Sequence, residues 1–405
     1  MGFGFRSTGA VFKIMISDDS APIGSKLRVA LPWHAGQIKV VRTLHLAGKA
    51  TRAELAGTTG LSPQSLTRIT QELIASGYVQ ELKRRHTGGM GQPAIELSLA
   101  PGRFLSLGLV LEHDRITCVI SDLVSGVVDR LVREGEFLSA KTSTEVSEAL
   151  VSGAMERIPE QATLLGLGIS QSGFFFDLPT ERMVSKSDIE GWMKIDLAEH
   201  MRRRFDIDVV IENDGCAAAA GHLVHGVGTR FKSFFLVLMT RGLGGGAVND
   251  RQLVRGRAGN AGEIATLLPS STLGVTRPNL DSMMNYLGKA WEVPVTPEAI
   301  EAALGRQDPA LEYWLNETAK VLSDALIYIS AILDPEAIIL AGRMPLSIRS
   351  ALAERLQLRG VTFTGISAPP PIVVVDPDMD CLELGAAALP VTRFFARHSD
   401  RVTSL

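Results

Sequence analysis

Two carboxylates and an amide stand out as side chains that could act on one ligand. Asn213 and Asp214 lie in the run Ile211-Glu212-Asn213-Asp214-Gly215, and Glu263 ends the run Asn260-Ala261-Gly262-Glu263. Between them come an alanine-rich helix through residues 217–220, an apolar strand from Phe234 to Met239, and a turn, Thr240-Arg241-Gly242-Leu243-Gly244-Gly245-Gly246. Carboxylates and amides accept or share hydrogen bonds with hydroxyls, which suits a neutral polyol. A strand that delivers polar residues at the start of a helix is the usual α/β device for holding a small ligand. Three consecutive glycines let backbone N–H groups approach something closely.

The order of these motifs resembles the ROK family, which contains sugar-responsive repressors and sugar kinases. The resemblance runs, with gaps, from Phe104 to the C-terminus, and its most specific pieces are Glu212-Asn213-Asp214, the Gly242 to Gly246 turn and Ala261-Gly262-Glu263. It implies an α/β chain with an actin-like (ribonuclease H-like), two-lobed sugar-kinase fold. It also implies that Asn213, Asp214 and Glu263 contact a sugar, the residue matching Asp214 being the base in the kinases. Gly168-Ile169-Ser170-Gln171-Ser172-Gly173 matches the family loop that lines the sugar, with Ser172 in place of the usual proline. Ser172 and Gly173 therefore join the expected sugar contacts. Lys186 to Trp192 matches a further family segment and puts Ser187 and Asp188 near positions that touch sugar.

Two family features are missing. Where a kinase carries an Asp-x-Gly-Gly-Thr phosphate loop, this chain reads Gly108-Leu109-Val110-Leu111-Glu112-His113-Asp114. Bulky Leu109 to Leu111 cannot cradle a polyphosphate, so no catalytic residue is expected. After Glu263 the family expects Gly-His and a cysteine cluster that binds zinc. Here Ala265 and Thr266 occupy those positions, and the segment from Leu267 to Pro278 has neither Cys nor His, so no metal and no cofactor is expected.

The elements ahead of this region read as a winged helix-turn-helix over residues 34–99. Ile38, Val41 and Leu44 recur at helical spacing. Thr51-Arg52-Ala53-Glu54 is a capping box that starts a second helix, Gly60 makes the turn, and Ser62-Pro63 starts a third. In the third, Leu66, Ile69 and Leu73 face inward. Gln64, Ser65, Thr67, Arg68 and Gln71 face outward, and these with Ser62 are the expected readers of base edges and phosphates. A strand from Tyr78 to Lys83, a basic glycine-rich turn from Arg84 to Gly91 and a return strand through Ile95, Leu97 and Leu99 make the wing. ROK repressors commonly carry Gly-Arg-Pro near the tip; here it is Gly91-Gln92-Pro93, so Gln92 can hydrogen-bond but brings no charge. Lys83, Arg84 and Arg85 are left to meet phosphate.

Charge supports the division. From Gly36 to Ser98 there are eight Lys and Arg against four Asp and Glu, so this segment is +4 and the remainder −7 within a total of −3. A basic module on an acidic body confines phosphate contacts to one end. Ala100-Pro101-Gly102 is the expected linker, followed by an N-terminal lobe over 104–220 and a C-terminal lobe over 221–405 whose last helix packs back on the fold. Residues 1–33 are expected to form an irregular tail. At 405 residues the chain has room for two or three cores. It contains no run of about 18 apolar residues, as a membrane span would need. Lys13 breaks the one apolar patch near the start, which argues against a signal peptide. Cys118, Cys216 and Cys381 form no framework, and a reducing cytoplasm fits.

The functional expectation is a cytoplasmic, sugar-responsive transcriptional regulator, a repressor, acting as a homodimer or higher homo-oligomer on operator DNA. Two other readings stay open: a sugar kinase that carries a DNA-binding module, and control through a protein partner without any small ligand.

Overall fold

The computed structural model describes residues 33–85, 94–177, 182–185, 195–268, 277–291, 293–358, 368–375 and 381–396. The first elements are α1 (Ala35–Ala47), β1 (Lys49–Thr51), α2 (Arg52–Thr59), α3 (Pro63–Ala75), β2 (Val79–Arg85) and β3 (Ala94–Leu99), with an antiparallel sheet in the order β1-β3-β2. Local chemistry starts and stops the helices. The Thr51 hydroxyl accepts the Glu54 N–H, while the Glu54 carboxylate accepts the Thr51 N–H at 2.8 Å. Gly60 ends α2 at φ 68°, and Ser62 caps α3 ahead of Pro63. Leu66, Ile69 and Leu73 are buried, joining Ile38, Val41 and Leu44 of α1 in one core.

Two details depart from the sequence reading. Lys49–Thr51 is a strand as well as the lead-in to a helix, because it pairs with Glu96 to Ser98 of β3. The wing strand β2 continues to Arg85, so Arg84 and Arg85 belong to the strand and not to the turn.

Two five-stranded sheets follow and repeat one topology. The first is built from β4 (Phe104–Leu111), β5 (Arg115–Asp122), β6 (Gly126–Glu134), α4 (Ala140–Met155), β7 (Thr163–Gln171), the separate hairpin β8 (Phe174–Asp177) and β9 (Arg182–Ser185), α5 (Leu197–Phe205) and β10 (Val209–Glu212). Its order is β10-β7-β4-β5-β6, with β4 central, a meander on one side and parallel strands on the other. After α6 (Asp214–Val224) the second sheet uses β11 (Phe234–Met239), β12 (Leu243–Asn249), β13 (Gln252–Val254), α7 (Leu280–Ala290), α8 (Pro297–Gly305), α9 (Pro309–Leu333), β14 (Ala337–Ala341), α10 (Leu346–Arg355) and β15 (Ile372–Val374). Its order, β13-β12-β11-β14-β15, repeats the first with β11 central. β4 and β11 are buried along their whole length, as uninterrupted apolar runs in central strands should be. The last helix, α11 (Cys381–Ala396), packs against β4, β7 and α6.

The glycine run is not a turn. Gly244, Gly245 and Gly246 lie within β12, opposite Leu238, Val237 and Leu236 of β11, and the reversal itself is confined to Thr240 to Gly242. What approaches these glycines is the start of α6. A Cβ on Gly215 would lie 2.2 Å from the Gly245 carbonyl oxygen, and one on Gly246 would lie 2.3 Å from that of Gly215. The crossing of α6 with α11 is equally tight, since a Cβ on Gly385 would stand 2.4 Å from the Ala217 oxygen. Pro390 has no N–H to offer the Ala386 carbonyl, and Gly168 of β7 sits on that oxygen with 1.9 Å left for a Cβ.

The helical module and the body share this core. Trp33, expected at the end of an irregular tail, is buried, with its ring 4.9 Å from Tyr78 and 5.4 Å from Phe104, and edge-on to Phe394 of α11 at 6.0 Å. The Tyr78 hydroxyl meets that of Thr163 at 2.7 Å, and the Gly102 N–H donates to Asp122 at 2.6 Å. Among the described residues no helix is long and apolar enough to cross a membrane.

Gly385→Ala should destabilise the chain by about 1–3 kcal/mol through overpacking. Gly57→Ala, in α2 where a Cβ meets nothing within 4 Å, should be neutral or stabilising by about 0.5–1 kcal/mol. Urea midpoints of the two variants check the contrast, and equal midpoints would refute the tight helix crossing.

Candidate functional site

Asn213 closes β10 and opens α6. Its side-chain oxygen accepts the Gly215 N–H at 2.7 Å, the ordinary work of a helix cap. Its amide nitrogen reaches outward, donating to the Glu263 carboxylate at 2.6 Å and to the Gly173 carbonyl at 3.3 Å. Asp214 follows as the first residue of α6, where the helix dipole favours a negative charge. Both its oxygens are engaged: Ser170 donates to one at 2.7 Å and Ser172 to the other at 2.5 Å. The cluster thus unites Ser172, Gly173, Asn213, Asp214 and Glu263, drawn from the end of β7, the start of α6 and the loop after β13.

Glu263 is delivered by a loop that needs glycine. Gly256, Gly259 and Gly262 all have positive φ, and a Cβ on Gly262 (φ 96°) would lie 2.8 Å from the Gly245 oxygen. Asn260 fixes the same loop by bonding both the N–H and the carbonyl of Phe175, at 2.8 and 2.6 Å. Burial, aided by the charge of nearby Asp214, pushes the Glu263 carboxyl up to about 7. Near neutral pH one of the two carboxyls can therefore donate a hydrogen bond as well as accept one. That mixture suits a neutral hydroxylated ligand.

At the end of β4, where the phosphate loop of a kinase would lie, Leu109, Val110 and Leu111 are buried. Gly108 serves packing, because a Cβ there would come within 2.5 Å of the Ala387 nitrogen in α11. Beyond them Glu112 forms an ion pair at 2.8 Å with Arg343, which follows β14 in the other sheet. Burial raises the Glu112 carboxyl and Arg343 opposes the rise. Local sequence does not signal the role of Ser170 in holding Asp214, because strand alternation within residues 168–173 does not announce which hydroxyl faces the aspartate. No sequence signal links Glu112 to Arg343.

Thr266, where the family has its histidine, sits in a short 3-10 turn and donates to the Glu263 carbonyl at 2.7 Å. Among the described residues no group of three or more His, Cys, Asp or Glu could hold a metal. Ser187 and Asp188 lie outside the described residues.

The candidate nucleic-acid face is the outer side of α3. Gln64, Thr67, Arg68 and Gln71 are exposed and Ser65 is half-buried. Ser62 is committed to capping, with its hydroxyl also donating to Ser65 at 2.9 Å. Arg68 is 65% exposed and pairs with Glu72 at 2.8 Å, one turn away. Arg84 and Arg85 are the last residues of β2, and Gln92 lies outside the described residues.

The raised carboxyl gives a pH test. A folded-state value of about 7 against a usual 4.5 means the folded chain holds its proton longer than the unfolded one. This group's contribution to stability is therefore present below pH 4.5 and lost as pH rises through about 7. Glu263→Gln should flatten the fall in urea midpoint between those pH values. An unchanged slope would assign it to other groups.

Comparison with known proteins follows the same division. The model of the ROK family matches residues 114–271, and that of winged helix-turn-helix DNA-binding domains matches 37–80. The chain is 26% identical to the uncharacterised protein y4fQ of Sinorhizobium fredii, over 85% of this chain and 87% of that one. It is 22% identical to the xylose repressor of Bacillus subtilis, over 65% of this chain and 66% of that protein. A solved ROK family transcriptional regulator, described as a homologue of the Escherichia coli MLC protein, superposes with a TM-score of 0.69 at 19% identity, over 91% of this chain and 99% of that one. The fold is thus the ROK sugar-kinase-like α/β fold behind a winged helix-turn-helix.

Proposed function

This chain joins an N-terminal winged helix-turn-helix to a ROK-family domain, and we propose that it is a sugar-responsive transcriptional regulator. A sugar or sugar derivative binds at Asn213, Asp214 and Glu263, with Ser172 and Gly173 beside them. Ser62, Gln64, Ser65, Thr67, Arg68 and Gln71 of α3, with Arg84, Arg85 and Gln92 of the wing, meet operator DNA. The similarity to a xylose repressor supports control of carbohydrate genes by repression. A homodimer in the cytoplasm, on pseudo-palindromic half-sites one helical turn or a multiple apart, fits this class of DNA reader. Residues 34–99 form the DNA-reading unit on this view, with 104–220 and 221–405 as the two lobes.

The observation that carries the reading is the course of α6. The helix begins on the Asn213 and Asp214 cluster and ends beside the DNA module, where His45 Nε2 of α1 lies 2.9 Å from the Val224 carbonyl oxygen. One helix therefore runs from the cluster to α1 of the DNA module. A ligand that prefers one arrangement of the cluster alters the seat of the module by its differential affinity, typically about 1–3 kcal/mol of coupling.

The kinase reading keeps one point in its favour, the Asp214 carboxylate itself. Against it stand the buried Leu109 to Leu111 and the Glu112 to Arg343 pair, which closes with a carboxylate the place a polyphosphate would need. Purified chain with ATP, magnesium and a bound sugar should show background phosphorylation only. Turnover of about 1 per second, abolished by Asp214→Asn, would replace the regulator reading.

Operator titration with and without sugar tests the regulator directly. Asp214→Ala and Glu263→Ala should each weaken sugar binding by about 1–3 kcal/mol or more. Both should hold operator normally when sugar is absent and lose the sugar response. Arg68→Ala should cost about 1–3 kcal/mol of operator affinity if it reads a base, and less, with a smaller salt slope, if it contacts phosphate. A wild-type sugar response in both cluster variants would remove the cluster as effector site.

A further inference from the structure

A cavity of about 350 Å³ opens at the seam between the DNA module and the body. Its size falls within the usual range for small-ligand pockets, about 300–1,000 Å³. Four arginines from separate segments converge on it: Arg42 of α1, Arg251 of the β12 to β13 turn, Arg255 after β13 and Arg393 of α11. Two of them are neutralised, Arg255 by Glu212 at 2.5 Å and Arg393 by Asp208 at 3.2 Å. Arg42 and Arg251 form no ion pair among the described residues. Burial, followed by the charge of Arg251, holds Arg42 below its usual value, and Asp250 offsets this in part. Arg251 donates through one terminal nitrogen to the Thr229 carbonyl at 3.1 Å, while its other terminal nitrogen is buried without an acceptor.

The backbone at Arg251 adds to the case. Asp250 and Arg251 form the two-residue loop of a hairpin, between the paired Asn249 and Gln252, with φ of 46° and 59°. Asparagine and glycine are the residues such a loop favours. An arginine held there against its backbone preference delivers a guanidinium to the cavity, where a glycine would form the turn more easily.

We propose that this cavity is a second ligand site and that it takes a small organic phosphate. Neither guanidinium has a carboxylate in contact, though the charges of Asp250 and Glu336 reach Arg42 and Arg251 from farther off, and the three oxygens of a phosphate can accept from both forks at once. Leu223 and Phe395, also in the lining, provide an apolar surface for the carbon skeleton. Because the arginines come from both the DNA module and the body, an occupant ties α1 to the β12 to β13 turn. The site does not depend on the sugar reading, since it shares no side chain with the Asn213, Asp214 and Glu263 cluster.

The test uses the full chain and follows its thermal midpoint at fixed ionic strength with phenyl phosphate, inorganic phosphate, acetate or chloride. Phenyl phosphate should give a saturable rise, inorganic phosphate a weaker saturable one, and acetate and chloride none. Arg42→Gln and Arg251→Gly should each weaken phosphate binding at least tenfold, while Asp214→Ala leaves it unchanged. Arg251→Gly suits the turn, so its loss of response is not a failure to fold, and it decides the matter should Arg42→Gln prove unstable. A rise that does not saturate, that acetate or chloride matches, or that survives both arginine substitutions means an adventitious ion only and overturns the proposal. A response lost in Asp214→Ala but kept in both arginine variants moves the phosphate to the sugar cluster and also overturns it.

Discussion

Close approach of backbone to backbone around α6 is the constraint on which this structure depends. Gly215 rests on Gly245, Gly246 rests on Gly215, and Gly385 lets α11 cross at Ala217. At each contact the missing Cβ is the fit. Packed interiors are dense and barely compressible, so a helix seated this way moves as a unit or not at all. The consequence for chemistry is direct. Asp214, the first residue of α6, takes its position from contacts made by glycines up to 171 residues away in sequence, counted from Asp214 to Gly385.

Both α6 and α11 make the DNA module part of the body. Trp33, Tyr78, Phe104 and Phe394 form one aromatic group from the segment before α1, the start of the wing, the first body strand and the last helix. Aromatic groups of this kind add about 0.5–1.5 kcal/mol per pair beyond the area they bury. His45 and His225, edge-on at 5.6 Å beside the end of α6, extend the contact. Burial lowers both histidines, His225 to about 4. They are neutral at physiological pH, so the seam is held by packing and hydrogen bonding there and not by imidazolium charge.

Much of this was legible because it is local. Thr51 with Glu54, Gly60, and Ser62 with Pro63 write the helix boundaries into consecutive residues, and Val209–Glu212 and Phe234–Met239 are short apolar runs with clear ends. The cluster was legible through family resemblance, since nothing in the spacing of residues 213 and 263 says that Asn213 will bond Glu263 across 50 positions. What escaped depends on distant partners. β1 is a strand only because β3 lies beside it, and β12 was misread as a turn because three glycines signal reversal when their neighbour is unknown. The Glu112 to Arg343 pair joins residues 231 positions apart, which no pattern within either segment predicts.

That pair also bears on what the cluster is for. Ser172, which stands where the family usually has proline, gives Asp214 a second hydroxyl donor in addition to Ser170. A carboxylate has about four lone-pair positions, so two serines leave room for a ligand hydroxyl to join them. Asp214 is then one acceptor in a shared set that includes the readily protonated Glu263. On the proposed reading, such a set matches the donors and acceptors of a polyol and needs no group to be transferred. Glu112, close enough for the charge of Asp214 to act on it, is held by Arg343 from the opposite sheet. A pair that spans both sheets is broken or kept according to the distance between them. On the regulator reading, the Glu112 to Arg343 contact ties binding at the cluster to the spacing of the two sheets, at the place where a kinase would hold phosphate.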